Sequence, residues 1–320
     1  MQSTSSLDIC QSDMKIFSAP LQGYTDRVWR EAHASLFGAV DAYFTPFMRV
    51  EKGVVRPRDV RDITCGERMH SITIPQILFR DINEFRILTD AAVAAGYTAV
   101  DLNLGCPFPP QVNHGRGAAL LRNPSLLEDV RSDMTGRYGA IRFSVKMRLG
   151  VDDDAEWKQV LPVINAMPLE SLTVHPRVAR QQYGGELHMG QFHRLMSRSS
   201  HPVVYNGDIL TPEDYARIVD AAPSLHGVMI GRRLLGRPTL AAEITGGMSV
   251  TPEERLDSLL KMHTRIYDCY SGVLCGDTQL LSKIKPYWDY ALDIIPRKAY
   301  KAIRKSSAAA SYLEAVRMIG

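Results

Sequence analysis

The feature that most constrains the fold is an alternation of short apolar segments with helical patterns between residue 15 and about residue 245. A cap residue or a proline marks several helix starts, as at Asp81, Asn123-Pro124 and Thr211-Pro212. Eight strand–helix units of this length are typical of a (β/α)8 TIM barrel, whereas a doubly wound sheet usually has fewer strands and a glycine-rich first turn, which is absent here. The predicted strands are Ile16–Ala19, Ala42–Thr45, Thr73–Leu78, Ala99–Leu102, Ile141–Met147, Ser171–Val174, Val203–Tyr205 and Gly227–Ile230.

The pattern becomes purely helical from Thr251 to the C-terminus. Thr251 and Glu254 have the spacing of a capping box, and helical segments follow at 252–271, 277–292, 296–306 and 307–318. Gly246 and Gly247 mark the boundary before them. We therefore predict an N-terminal tail over residues 1–14, a TIM-barrel catalytic domain over 15–247 and a small helical bundle domain over 248–320.

Composition and cysteine usage narrow the class of protein. The chain is 45% apolar and 23% charged, which is ordinary for a globular protein. Its five cysteines form no C-x-x-C and have no histidine at metal spacing, which argues against a zinc site and a disulfide framework and favours a reducing compartment. The first 14 residues lack an apolar signal core, and no run reaches membrane-spanning length. We expect a soluble cytoplasmic protein without a metal, and a monomer, although the sequence does not determine the oligomeric state.

The stretch Thr98–Arg122 carries the first candidate for chemistry, Cys106. A strand with apolar residues ends in Gly105-Cys106-Pro107, and this arrangement delivers the thiol into a loop. Pro107 disfavours a helical conformation at Cys106, so the thiol is expected in an extended segment. The alternative is a small apolar cysteine packed in the core at the end of a strand.

Polar residues at the carboxyl ends of barrel strands converge on one mouth, so they can be considered as one set. Each member also has a structural interpretation: Asn206-Gly207 as a common turn, His175 as a core histidine, and Gln76 as a hydrogen-bond partner of a neighbouring strand. Lys146 is harder to explain in this way, because an unpaired lysine within a strand is costly. The set comprises Pro20, Leu21, Gln22, Gln76, Asn103, Cys106, Lys146, Arg148, His175, Arg177, Asn206, Gly207, Asp208, Gly231, Arg232 and Arg233.

Several of these positions lie in longer motifs, which are APLQGYTD at 19–26, PQILF at 75–79, DLNLGCPFPPQV at 101–112, GRGAALLRNP at 115–124, VKMRLG at 145–150, LTVHPR at 172–177, YNGDI at 205–209 and MIGRRLLGRP at 229–238. Each motif is weak alone, but the set is specific and spans nearly all of residues 15–240. As a set, the motifs resemble those of the bacterial tRNA-dihydrouridine synthases. The resemblance implies a barrel that holds FMN at its mouth, a helical C-terminal domain that binds tRNA, and NADPH as the reductant.

The resemblance also implies roles for individual residues. Cys106 would donate a proton to C5 of uracil after hydride transfer from flavin N5 to C6, and Lys146 would lie near the N1–C2=O edge of the flavin. On positional grounds alone, Asn103 and Arg177 or Arg180 are candidates for holding the uracil. Leu21 and Pro176 replace the commoner Met and Gly of the family without removing a functional group. The implied cofactor-binding residues are Pro20, Leu21, Gln22, Gln76, Lys146, His175, Asn206, Gly207, Asp208, Gly231 and Arg232.

Positive charge gathers near the C-terminus. Residues 255–320 carry eleven basic residues against six acidic ones, although the net charge of the whole chain is only +3. Lys298, Lys301 and Lys305 fall at helical spacings, which predicts a cationic stripe that contacts tRNA phosphates, the alternative being a solvated helical face. Two rival functions are open: an FMN barrel acting on a free pyrimidine or an enone, and an RNA-binding module on a degenerate barrel. The sequence does not determine which uridine is reduced.

Overall fold

A computed structural model of the protein describes residues 14–64, 70–246 and 249–320. Residues 1–13 of the predicted tail, Cys65, and Gly247 and Met248 at the predicted domain boundary lie outside the described residues. The division into domains at this boundary therefore stays a prediction.

The core of the molecule is a parallel barrel, as predicted. Each strand pairs with the next one along the chain, and the last strand closes onto the first through Lys15 and Gly227. The third strand is in two pieces because Pro75 has no N–H for the ladder, although its carbonyl still accepts from Asp101 N at 2.9 Å. The strands are β1 (Lys15–Ser18), β2 (Ala42–Phe44), β3 (Thr73–Ile74 and Gln76–Ile77), β4 (Ala99–Leu104), β5 (Arg142–Gly150), β6 (Leu169–Val178), β7 (Val203–Tyr205) and β8 (Gly227–Ile230).

Helices follow the strands and start where the sequence predicts. Asp81 and Asn123 each accept a backbone N–H of the first helical turn, and Thr211 with Asp214 forms a capping box. A short hairpin, Val50–Glu51 with Val54–Val55, lies between β2 and the second helix. The helices of this part are α1 (Arg27–Leu36), α2 (Pro57–Ile63), α3 (Ile82–Ala94), α4 (Pro109–Asn113), α5 (Pro124–Thr135), α6 (Trp157–Ala166), α7 (Met189–Met196), α8 (Pro212–Ala221), α9 (Arg232–Gly236) and α10 (Leu240–Gly246), with 3-10 turns at Gly117–Arg122 and Ala179–Gln181.

Helices also make up the C-terminal part, as predicted. The one difference is that the segment 277–292 is not a single helix, because Pro286 cannot continue an α-helix and the chain tightens into a 3-10 turn. In the described part of the chain, none of the helices is both long enough and apolar enough to cross a bilayer. The elements are α11 (Pro252–Ser271), α12 (Gly276–Ile284), a 3-10 turn (Lys285–Tyr290), α13 (Arg297–Lys305) and α14 (Ala309–Arg317).

The C-terminal helices pack tightly on the barrel near its mouth. A Cβ at Gly236 would stand only 1.8 Å from the carbonyl oxygen of Tyr290, so the two backbones touch. Tyr24 makes edge contacts with Tyr287 and Tyr290, and Lys283 forms a salt bridge of 2.8 Å with Asp26. These contacts hold the loop between β1 and α1 at the mouth of the barrel.

Candidate functional site

A cleft of about 400 Å³ lies at the carboxyl ends of the strands. It is where a TIM barrel places its active site, because the loops that follow the strands meet there. Thirteen of the residues predicted for the barrel mouth line it: Pro20, Leu21, Gln22, Asn103, Cys106, Lys146, Arg148, His175, Asn206, Gly207, Asp208, Gly231 and Arg232. Its other lining residues are Ala19, Phe47, Gly105, Pro107, Phe108, Gln182 and Tyr183.

Four residues predicted around the barrel mouth, Gln76, Arg177, Arg180 and Arg233, do not line this cleft. Arg233 pairs instead with Asp293 at 2.7 Å. Gln76 is fully buried beneath the cleft, and Arg177 is buried in an ion pair with Asp208. Arg180 has a largely exposed side chain that pairs with Asp152 at 2.7 Å. Gln76 and Arg177 therefore contact and orient residues that line the cleft, Asn103 and Asp208, whereas Arg180 makes only a surface ion pair.

The loop that carries Cys106 is shaped by the residues on both sides of it. Asn103 Oδ1 accepts hydrogen bonds from the backbone N–H groups of Gly105 and Cys106 at 3.1 and 2.8 Å. Gly117 packs behind the thiol residue: a Cβ there would lie 2.7 Å from Cys106 Cβ, and its φ of +62° is one that glycine adopts readily. Cys106 is thus fixed at the cleft and does not belong to the apolar core.

A buried hydrogen-bond chain supports this loop from inside the barrel. Ser144 and Gln76 donate to the two carboxylate oxygens of Asp101 at 2.6 and 2.7 Å, and Asn103 donates to Gln76 at 2.6 Å. Burial raises the pKa of Asp101 to about 6, although its hydrogen bonds act in the opposite direction. The chain locks the orientation of the Asn103 amide and, through it, the backbone at Cys106.

Titration behaviour sets the protonation states in the cleft. Burial raises the pKa of the Cys106 thiol, and the nearby charges of Arg148 and Lys146 only partly oppose this effect. Burial, reinforced by the charge of Arg148, lowers the pKa of Lys146 to about 8. At neutral pH the thiol therefore holds its proton, and most Lys146 side chains are cationic.

Lys146 has no direct ionic partner among the described residues, although the buried Asp101 carboxylate attracts its charge from beyond salt-bridge distance. Lys146 also forms no hydrogen bond with any residue that the structure describes. Burial lowers the pKa of its neighbour Arg148 to about 10, and that guanidinium donates to the carbonyls of Gly105, Val178 and Gln182. Arg148 thus ties two mouth loops together, while the Lys146 ammonium remains available to an anionic or electron-rich ligand.

His175 is neutral in this environment. Burial and the charges of Arg148, Lys146, Arg177 and Arg232 hold the pKa of His175 well below its usual range. Arg177 Nη1 lies 3.2 Å from His175 Nε2, and because arginine can only donate, Nε2 is the acceptor and Nδ1 carries the hydrogen.

The loops after β7 and β8 form a polar end of the cleft. Asn206 donates to the carbonyl of Met229 at 2.7 Å, and a Cβ at Gly207 would meet the Tyr205 hydroxyl at 2.1 Å, so only glycine fits there. Burial opposes ionisation of Asp208, but the hydrogen bonds and charges of Arg177 and Arg232 outweigh it and lower the pKa of that carboxyl. Arg232 is held by Asp208 at 3.1 Å and still lines the cleft, where it can bind an anion.

Sequence patterns did not assign the aromatic residues of the mouth to the site. Phe47 and Tyr183 come from loops without a periodic signal. The Tyr183 ring lies between two guanidinium groups, 5.6 Å from that of Arg148 and 4.6 Å from that of Arg232. Arg148 itself was identifiable at the end of its strand, but no local pattern indicated that it would bridge two loops.

The basic residues of α13 lie away from the cleft on an exposed face. Lys298, Lys301 and Lys305 are exposed, and the structure shows no salt bridge from them to any described residue. Arg304 is the exception on this face, since it pairs with Asp289 at 3.5 Å. The three lysines therefore form an unpaired cationic stripe.

Fold and site define a TIM-barrel protein with a cationic cleft at its mouth. Among solved structures, TcOYE with pHBA aligns with a TM-score of 0.52 at 10% identity, over 75% of this chain and 92% of that one. Histamine dehydrogenase from Rhizobium sp. 4-9 aligns with a TM-score of 0.51 at 13% identity, over 78% of this chain and 49% of that one. At such low identity these likenesses show the fold alone.

The family follows from sequence comparison. The model of the dihydrouridine synthase (Dus) family matches residues 17–310. A tRNA-dihydrouridine(16) synthase of Cupriavidus necator is 30% identical over 88% of this chain and 91% of its own length, and one of Salmonella typhimurium is 27% identical over 95% and 100%. A tRNA-dihydrouridine synthase B of Pseudomonas putida is 26% identical over 81% and 77%. The chain belongs to the dihydrouridine synthase family and is an oxidoreductase of that family.

Proposed function

We propose that this protein reduces uridine 16 of tRNA to 5,6-dihydrouridine, with bound FMN as cofactor and NADPH as reductant. The observation that carries the proposal is that a protonated thiol, Cys106, and an unpaired cation, Lys146, line one cleft. The position within tRNA is inferred from relatives of 27–31% identity in Cupriavidus necator, Neisseria meningitidis and Salmonella typhimurium, each of which is called a tRNA-dihydrouridine(16) synthase.

The donor set of the cleft fits FMN. Lys146 is a cation without a protein partner, which suits the electron-rich edge of an isoalloxazine ring. Arg232, oriented by Asp208, lies beside the glycine-containing loops after β7 and β8 and suits the phosphate of FMN. Pro20, Leu21 and Gln22 would border the ring, His175 would offer its Nδ1 hydrogen, and Gln76 would act from below through Asn103.

The reaction adds a hydride to C6 and a proton to C5 of uracil, which converts the C5=C6 double bond into a single bond. FMN, when bound and reduced, supplies the hydride. Cys106 holds the proton that C5 requires, since burial keeps the thiol protonated at neutral pH. The cationic form of Lys146 stabilises negative charge that develops within the cleft.

A tRNA substrate also accounts for the surface outside the cleft. A uridine must leave the RNA helix to reach Cys106, and this costs a few kcal/mol that contacts with the rest of the tRNA must offset. The unpaired lysines of α13 would supply contacts to phosphates. The helical segment over residues 248–320 would then be the tRNA-binding part, and the protein would work as a monomer in the cytoplasm.

The test of the cofactor is direct. The purified protein should be yellow and hold about one FMN per chain without a covalent bond. Arg232→Ala should raise the Kd for FMN by roughly 10- to 150-fold, because it removes a charge-assisted phosphate contact worth about 1.5–3 kcal/mol. Arg233→Ala is the matched control, since the neighbouring arginine pairs with Asp293 and does not line the cleft. A colourless protein that takes up no FMN would contradict the proposal, as would equal effects of the two variants.

A further inference from the structure

An exposed aromatic residue stands at the rim of the cleft. Phe108 is 57% exposed, although exposure of such a large apolar side chain to water is unfavourable. It lies between Pro107 and Pro109-Pro110, and each proline fixes its own φ, so the ring is presented on a stiff piece of backbone. A rigid, solvent-facing ring at the mouth of a cleft is suited to stacking against a planar group, since little conformational freedom is lost on contact.

A basic pocket of about 430 Å³ begins immediately beyond this rim. Two chain segments lead from the cleft into it: Phe47 lines the cleft and Arg49 the pocket, while Phe108 lines the cleft and Pro110 the pocket. The lining residues are Arg49, Val50, Glu51, Lys52, Gly53, Arg80, Glu84, Pro110, Gln111, His114 and Arg116. Four of them are lysine or arginine, and only two are acidic.

The charges of this pocket are incompletely neutralised. Arg116 and Arg80 share one buried carboxylate, that of Glu84, at 2.5 and 3.1 Å, and Arg80 has a further, exposed contact of 3.4 Å with Asp81. Arg49 has only a long contact of 3.9 Å with Glu51. Burial and the surrounding positive charges, chiefly that of Arg56, lower the pKa of Arg49. A bound anion would therefore stabilise the charged form of the Arg49 guanidinium.

Two buried polar atoms of the pocket have no hydrogen-bond partner among the described residues, Arg49 Nε and Gln111 Oε1. An unpaired buried donor on Arg49 and an unpaired buried acceptor on Gln111 show that the polar groups of this lining are not saturated by the protein itself. Lys52, at the tip of the hairpin, has a φ of +52°, a conformation that a lysine adopts only at a cost in free energy. Gly53, the other turn residue, has a φ of +81°, and this two-residue turn places the Lys52 cation at the lining of the pocket.

We propose that the rim and the pocket together bind a nucleotide adjacent to the target uridine: its base stacks on Phe108, and its sugar-phosphate enters the pocket of Arg49 and Lys52. This inference rests on the proposed function, because it assigns a second subsite for the same tRNA. It explains how the enzyme can hold the RNA next to the target uridine at the cleft entrance.

The test compares Phe108→Leu, which keeps an apolar side chain, with Phe108→Tyr, which keeps the ring. Phe108→Leu should raise KM for tRNA by roughly 5- to 100-fold while kcat at saturating tRNA changes little, and Phe108→Tyr should restore KM. In a tRNA with 2-aminopurine at either nucleotide flanking the target, one of the two fluorophores should be quenched by the wild-type protein and not by Phe108→Leu. Ile72→Ala is the control, since Ile72 is 70% exposed at the opposite end of the barrel.

The phosphate contact is tested by the double variant Arg49→Ala/Lys52→Ala. Its log–log salt dependence of tRNA binding should fall by about 1–2 units, and Arg142→Ala, at the other end of the barrel, should leave it unchanged. A wild-type KM in Phe108→Leu, or a rise in KM for NADPH instead of tRNA in the double variant, would overturn the inference. If the wild-type protein reduced no tRNA at all, the proposed function would fail instead, so the two failures are distinguishable.

Discussion

At the scale of single residues, the chemistry depends on how burial shifts two neighbouring groups in opposite directions. The thiol of Cys106 is kept in its protonated form, whereas the ammonium of Lys146 loses its proton more easily than a lysine in water. A cysteine that serves as an acid differs in this respect from cysteine nucleophiles, whose environments lower the pKa. The same cleft can therefore offer a proton and a cation at neutral pH.

The pKa of Lys146 should make the proposed binding of FMN depend on pH. Lys146 is cationic below about pH 8 and neutral above it, so the proposed charge-assisted contact to the flavin would be present at low pH and lost as pH rises. We expect the Kd for FMN to increase by about fivefold between pH 7 and pH 9, because a charged hydrogen bond is worth roughly 1 kcal/mol more than a neutral one. Fluorescence titration with FMN measures this. Lys146→Met should bind more weakly and without this pH dependence; an unchanged profile in that variant would assign the titration to another group.

At the scale of elements, the 3-10 turn at Gly117–Arg122 supports the Cys106 loop through close packing. Its first residue cannot carry a side chain without displacing Cys106, and the N–H of Ala118 donates to the carbonyl of Cys106 at 3.2 Å. Gly115, two residues earlier, also has a positive φ, but a Cβ there would meet only Arg80 Cβ at 3.9 Å, an ordinary van der Waals contact. An alanine at Gly115 would therefore suffer backbone strain alone, whereas an alanine at Gly117 would suffer both backbone strain and a clash with Cys106.

We expect Gly117→Ala to lower the free energy of unfolding by about 2–4 kcal/mol, and Gly115→Ala by only about 1–2 kcal/mol. Urea denaturation of both variants measures the difference. Gly117→Ala should also slow the reduction of tRNA, since it moves the thiol. Equal losses of stability in the two variants would show that the packing of Gly117 against Cys106 is unimportant.

The helix α13 presents three unpaired lysines on one exposed face. Replacing Lys298, Lys301 and Lys305 with Glu should weaken tRNA binding and flatten its log–log salt dependence by about 2–3 units, because three phosphate contacts are lost. Binding measured between 50 and 200 mM salt tests this expectation. Charge reversal at Lys158 and Arg194, exposed on α6 and α7, is the control. An unaltered affinity in the triple variant would leave the stripe as a solvated surface.

At the scale of the whole molecule, the barrel and the C-terminal helices were predictable because their signals are local. Alternating strands, cap residues such as Asp81 and Thr211, and the capping box at Thr251 all lie within a few residues of the element they define. Two of the local differences, the break in β3 at Pro75 and the end of α12 before Pro286, come from the missing N–H of proline.

The contacts within the site were less predictable because they join distant parts of the chain. Arg177 lies at a strand end, where it was expected to reach the substrate, but Asp208 from the next strand pairs with it at 2.5 Å. Gln76 is drawn beneath the cleft by Asp101 and Asn103. Strand order can place such residues on one end of a barrel, but it does not say which side chains will be neutralised by one another.

Hydrogen bonds join the C-terminal helical part to a loop that lines the cleft. Lys283 donates to the carbonyl of Gly23 at 2.7 Å, and Tyr287 donates to that of Tyr24 at 2.6 Å, in the loop that also carries Leu21 and Gln22. The part of the molecule proposed to bind tRNA therefore touches the part proposed to border the flavin. This continuity fits an enzyme whose two binding sites must be held in a fixed relation.

The most direct test of the account is a single-turnover reaction between tRNA and the protein with its flavin reduced, followed by mapping of dihydrouridine at each tRNA position. We predict that the wild-type protein forms dihydrouridine at position 16 alone, one per flavin reoxidised. Cys106→Ala should form the same product roughly 10²- to 10⁴-fold more slowly, since it lacks the proton donor. Dihydrouridine at another position, none at all, or a wild-type rate in Cys106→Ala would contradict the account.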